Sequence, residues 1–280
     1  EMFWKVLLIY SLITQIIPSH SYTKRKQLKP AHSEVNETWT GKWFPRKPDF
    51  LNDDIRRKQQ NEEEINEINT NDVIEIISEF CDDGQTNLTL DWNEDPSDHI
   101  CTSINKYEPN FEKAPILELY TIPKAYKPYP KCMNVSIVYS EDIPTFGNHR
   151  TLWPKYGEYQ YIPRQRWLHT LEHGGIVMLY HPCAHPHQVN VLQRIVRKCL
   201  YRHIITPSRL LPPELPLAVV SWGKRLQMSF VDEELVVEFI KTNALKGLEH
   251  STKIGQYSYG LLEEAKIVSD ENDKIICPGL

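Results

Sequence analysis

The chain has 280 residues, 32 Lys and Arg against 37 Asp and Glu, and a formal charge of −5 at pH 7. A quarter of the residues are charged and 40% are apolar, which suits a globular chain and excludes collagen, a coiled coil and a multi-span membrane protein. A pI near 6.1 leaves no basic stripe for a phosphate backbone, so nucleic acid is not expected as a partner.

The first element is a targeting segment. Lys5 precedes the apolar run Val6–Ile17, Pro18 breaks it, and Ser19 and Ser21 supply small residues for cleavage after Ser21. This is the layout of a secretory signal peptide over residues 1–21. The run is shorter than the roughly 20 apolar residues of a membrane span. No stretch after Ser21 reaches that length, so no span is expected beyond the signal in this chain. The expected location is outside the cell or in the lumen of the secretory pathway. A membrane-anchored form at the cell surface is the alternative if the chain continues past Leu280.

Residues 22–80 read as a low-complexity arm, basic in Thr23–Pro30 and acidic in 52–79, where nine acids stand against three bases. Ile65, Ile68, Val73, Ile76, Ile77 and Phe80 suit an amphipathic helix in its acidic part. From Cys81 to residue 250 the texture is that of a packed domain. Ile116–Tyr120 and Val135–Tyr139 read as strands by their β-branched and aromatic content. Gly175–Tyr180 is a continuous apolar run of strand length, which predicts a central buried strand. Helical spacing of Val189, Leu192, Ile195, Val196 and Cys199 predicts a helix opening at Pro186. Leu217–Trp222 and Leu226–Phe230 flank Gly223-Lys-Arg225 as a hairpin, and Asp232 caps a helix over Glu233–Lys241. The expected fold is therefore α+β: a mixed sheet with helices packed on it, disulfide-bonded, preceded by a poorly ordered arm. Residues 251–280 read as a tail, tied down only if Cys277 is bonded.

Cysteine and sequon content agree with export. Six cysteines, Cys81, Cys101, Cys132, Cys183, Cys199 and Cys277, permit three disulfides in 15 pairings. A helix over 186–200 is about 20 Å long, too far for Cys183 to reach Cys199. Acceptor sequons stand at Asn36, Asn87 and Asn134.

Chemistry concentrates in the histidines. Six of the 11 fall between 149 and 187: His149, His169, His173, His181, His185 and His187. Among them stands His169-Thr-Leu-Glu172-His173. Positions i and i+4 share a helix face, so both imidazoles can address one metal with Glu172 beside them, zinc or copper by ligand type. The order His-x-x-Glu-His is that of inverted zinc peptidases, in which the Glu is the general base. A third ligand would come from His149, Glu233 or Glu238. Against this, Gly174-Gly175 stops the helix directly after His173, where peptidases continue it. The alternative is a set of structural histidines fixing the turn into the next strand. Because imidazolium does not coordinate, a metal held here would be released below about pH 6.

The segment Tyr139–Pro182 also carries a resemblance. Pro144-Thr-Phe-Gly147-Asn-His149, Trp153, Tyr156-Gly-Glu-Tyr159 and Trp167–Val177 resemble the signature of a domain of unknown function. That domain is shared by bacterial exported proteins and by the animal tumour protein p53-inducible protein 13 family, and Tyr159–His169 and Leu179–Cys183 are closest to the animal form. The resemblance covers roughly residues 130–245. It implies a secretory-pathway protein, membrane-anchored in some members, with a growth-suppressive role and no established reaction, and it puts His149, His169, Glu172 and His173 in the family motif. With the signal, cysteines and sequons, the expectation is a glycoprotein that acts by binding. A metal-binding module or zinc-dependent hydrolase built on that motif is the second expectation.

Overall fold

Side chains alternate across a strand, so a strand that is apolar at every position must be covered on both faces. Ile176–Tyr180 is such a strand: Ile176, Val177, Met178 and Leu179 have no exposed surface. In the computed structural model, which describes residues 81–249 and 254–280, it sits at the centre of a seven-stranded mixed sheet. The signal, the arm, its acidic helix and Asn36 lie outside the described residues.

In chain order the strands are β1 (Ile116–Leu119), β2 (Pro130–Lys131), β3 (His149–Arg150), β4 (Gly157–Tyr159), β5 (Ile176–Tyr180), β6 (His203–Pro207), β7 (Leu217–Ser221), β8 (Lys224–Met228) and β9 (Leu261–Glu264). The α-helices are α1 (Arg164–Glu172), α2 (Pro186–Cys199) and α3 (Glu233–Asn243). The large sheet has the order β1-β8-β7-β5-β6-β4-β9, with β5, β6 and β4 parallel and the remaining pairs antiparallel. A separate parallel pair joins β2 to β3.

Helix placement follows from the handedness of the crossovers. The path β4-α1-β5 steps over β6 in one direction, and β5-α2-β6 steps back in the other. Right-handed connections of opposite direction must lie on opposite faces. Accordingly, Trp167, Leu168 and Leu171 of α1 pack with Val177, Leu179, Ile204, Ala218 and Val220. On the other face Leu192, Ile195 and Val196 of α2 and Val236, Phe239 and Ile240 of α3 pack with Ile176, Met178, Ile205, Leu217 and Val219. Full burial of each such side chain contributes about 1.5–3 kcal/mol.

Most expected elements are present, with three differences. Val135–Tyr139 is not a strand; Pro130–Lys131 takes the pairing beside β3 instead. The reason is competition: the Val135 carbonyl accepts from the Arg150 side chain, at 2.8 Å, and Ile137 is buried. The hairpin turn is Trp222-Gly223, with Gly223 at φ +72°, so β8 begins at Lys224 and not at Leu226. Strands β4, β6 and β9 had no strong local signal. Residues 254–280 add β9 to the sheet edge against β4.

Three disulfides cross the domain: Cys81–Cys132, Cys101–Cys183 and Cys199–Cys277. Cys183 and Cys199 lie at opposite ends of α2 and have different partners, as its length requires. Among the described residues no helix is long and apolar enough to cross a membrane.

Candidate metal centre

Helix α1 ends where its sequence says it must. The Gly175 N–H donates to the Thr170 carbonyl and the Gly174 N–H to the Leu171 carbonyl, both at 2.9 Å. This is the Schellman arrangement, with Gly174 in the left-handed region at φ +81°. His169 and Glu172 therefore occupy the last turn, and His173 is the C-cap. Strand β3 packs beside this helix end and adds His149.

These residues meet. His149, His169 and Glu172 each offer one ligand atom, and those atoms lie within 4.8 Å of one another. All three residues are buried, as is His173. The imidazoles of His149 and His169 are 4.2 Å apart between centroids, and His173 stacks on His169 at 4.8 Å. Trp153 closes one side, 4.1 Å from the His173 ring and 4.8 Å from that of His169.

Tautomers follow from the partners. His149 Nδ1 lies 3.0 Å from the Gly147 carbonyl, and His169 Nδ1 lies 2.7 Å from the Arg150 carbonyl. A carbonyl only accepts, so both Nδ1 atoms carry a proton, and in the neutral form both Nε2 atoms present a lone pair. Metal-binding histidines are held in this way by a second partner. The spacing Gly147-Asn-His149 has a physical reason too: Gly147, at φ +145°, turns its carbonyl back onto the ring two residues on. His149 Nε2 then faces Glu172 Oε2 at 3.1 Å. A lone pair and a carboxylate at that distance need a positive charge between them, a proton or a metal ion.

Burial sets the charge states. It pushes His169 well below the ordinary imidazole range, with His149 and His173 adding to the effect. It lowers His173 to about 4. The Glu249 carboxyl beside this cluster is raised by partial desolvation and then by Glu172. Neutral imidazoles are the form that coordinates. Both ring nitrogens of His173 and the indole nitrogen of Trp153 are buried without a hydrogen bond. An unsatisfied buried polar group costs about 1–3 kcal/mol, so this is a destabilising arrangement.

Of the expected ligands, His149 reaches the centre and Glu233 does not: it pairs with Arg194 of α2, on the other face of the sheet. Glu238 lies on α3, the helix packed on that same face. His173 adjoins the group without belonging to the close trio. His181 and His185 stand at the opposite end of β5, and their Nδ1 atoms accept from the backbone N–H of Cys183 and His187. That puts the neutral-form proton on Nε2, so these two rings present no lone pair outward, and His187 is exposed.

Supporting residues carried no sequence signal of their own. Arg150 is fully buried, with its guanidinium on Asp91 at 2.5 and 2.6 Å and on the carbonyls of Cys132 and Val135. Arg166 of α1 binds Asp82 through both nitrogens, at 2.5 and 2.8 Å. Segment 245–249 crosses the end of α1, where the Glu249 N–H donates to the Glu172 carbonyl at 3.0 Å and the Leu245 N–H to that of Gly174 at 2.8 Å.

Residues 130–255, a little under half of the chain, match the sequence profile of a protein family of unknown function, DUF3105. The match takes in every residue of the cluster. The tumor protein p53-inducible protein 13 of Rattus norvegicus is 30% identical over 67 residues, which are 24% of this chain. The chain thus spans 17% of that relative's length. No solved structure matches the chain.

Proposed function

We propose that this chain is an exported binding protein whose central domain holds one divalent transition-metal ion, zinc by preference, on His149, His169 and Glu172. The observation that carries the reading is the matched orientation of two buried imidazoles. Each gives its Nδ1 proton to a backbone carbonyl, and each has its Nε2 lone pair available beside one carboxylate. Two imidazoles and a carboxylate are a ligand set that zinc accepts. Binding is favoured over hydrolysis because Glu172, the residue a hydrolase of this motif would use as base, is itself among the grouped ligand atoms.

Export and N-glycosylation are part of the same proposal. Three disulfides support an oxidising compartment. Asn87 and Asn134 are exposed, as an oligosaccharide requires. A growth-regulatory role, implied by resemblance to the p53-inducible relative, would be exercised from that compartment through a protein partner.

The test is metal content of the full chain, secreted by animal cells without a His tag, beside a His149→Ala/His169→Ala variant. Near one equivalent of zinc in the parent and none in a folded variant is the expected result. Parent protein that stays empty on titration with zinc and copper would overturn the metal reading. Retention inside the cell with free thiols, and no change in mobility after peptide-N-glycosidase, would overturn export.

A further inference from the structure

Three ligands leave a four-coordinate ion one position short. We propose that His173 is the fourth ligand of this centre and that Glu249 orients it, so that binding of the ion fastens segment 245–249 over the end of α1. The inference rests on the metal reading above.

The argument begins with a buried ring that has nothing to do. His173 is 4% exposed and neither nitrogen has a hydrogen-bond partner, although the ring stacks on His169 and lies against Trp153. It follows His169 at i+4, so both rings leave the same face of the helix end. It stands next to the trio, outside the group of close ligand atoms, with its ring 4.8 Å from that of His169 between centroids.

The outer partner is also in place. Glu249 Oε2 lies 3.8 Å from His173 Nδ1, just beyond hydrogen-bond reach. Donation of the Nδ1 proton to that carboxylate would leave Nε2 for the metal, the same assignment already made at His149 and His169. All three rings would then give Nδ1 outward, to Gly147, Arg150 and Glu249, and Nε2 inward. The Glu249 side chain is 62% exposed, so as the structure stands its contact with the ring is loose. Its backbone is already tied to the Glu172 carbonyl, which holds segment 245–249 beside the helix end that carries His173. The completed shell of three imidazoles and one carboxylate has no position for a substrate, which makes the centre a clasp that ties 245–249 to α1.

X-ray absorption at the zinc edge of the zinc-loaded full chain tests this without a variant: three imidazoles and one oxygen donor are expected. Titrations of His173→Ala and Glu249→Gln accompany it, with circular dichroism and thermal melting of each protein before zinc is added. His173→Ala should lower zinc affinity by more than about 100-fold, and Glu249→Gln by about 10-fold, the loss typical of an outer partner. Glu249 is exposed, so that variant keeps the test open if His173→Ala fails to fold. Zinc should also slow amide exchange in 245–249 of the parent. A two-imidazole spectrum, with unchanged affinity in both variants, would overturn the fourth ligand and leave the trio standing. A parent that takes up no zinc would overturn both.

Discussion

Arg150 illustrates how much of the centre is carried by residues outside its ligand set. Its side chain is fully buried against Asp91 while its carbonyl sets the tautomer of His169. Removing one partner of a buried ion pair leaves the other charge unsolvated, at about 3–5 kcal/mol. Asp91→Ala should therefore lower unfolding stability by about that amount in urea denaturation. A loss below about 1 kcal/mol would mean that the carbonyls around Arg150 suffice. His203 makes a second prediction, remote from the cluster. It is buried on β6, gives its Nδ1 proton to the Leu200 carbonyl, and is pushed down to about 4, chiefly by burial. In the unfolded chain an imidazole takes its proton near 6.5. The stability that depends on a neutral ring is thus complete above pH 6.5 and declines as the pH falls from there toward 4. By linkage the decline amounts to about 2 kcal/mol at pH 5. Stability measured at pH 7.5 and 5 should show it, and His203→Gln should shrink the difference between the two.

At the scale of elements, legibility depended on whether the signal was local. Pro186, the apolar stripe 189–199 and the Asp232 cap are local, and α2 and α3 stand where those features put them. Val135–Tyr139 has the composition of a strand, but the Val135 carbonyl serves the buried Arg150 side chain instead of a ladder. Strand β6 ends in Pro207, opens on His203 and lies between two parallel neighbours that come from earlier in the chain. The Gly174-Gly175 stop, which counted against a peptidase-like helix, is real, and it is also what brings His173 to the cap beside segment 245–249. Close approach there depends on Gly247: a Cβ would collide with the Glu172 carbonyl and the Gly174 nitrogen. Gly247→Ala should force the segment away from α1 and cost about 1–3 kcal/mol, as overpacking does. Hydrogen exchange should locate the loosening at 245–249. Unchanged protection there would show that the segment adapts without leaving the helix.

Over the whole molecule, the disulfides join distant parts of the sequence, with separations of 51, 82 and 78 residues. Cys199–Cys277 ties the end of α2 to the last residues of the chain, while β9 pairs with β4 on the far edge of the sheet. Replacing both cysteines by Ala should cost about 2–5 kcal/mol, the usual loss for a native bridge. Limited proteolysis should then cut first within 265–280. A cleavage pattern like that of the parent would show that packing alone retains the segment. Peptide mapping of unreduced protein checks all three pairings.

Cysteine number, the α+β class, the central strand and the His169-x-x-Glu172 part of the candidate cluster could all be read from the sequence, because each rests on composition or on spacing within a few residues. Hydrophobic periodicity depends only on the local repeat of a helix or strand, and Gly after a helix acts on the backbone beside it. Tertiary structure alone decided which cysteines pair, and that His149 rather than Glu233 or Glu238 joins His169 and Glu172. It also decided that Arg150 and Glu249 stand behind the cluster. Those contacts join residues 19 to 82 positions apart, where chain connectivity puts no limit on partner choice and only the packing of the finished sheet selects one.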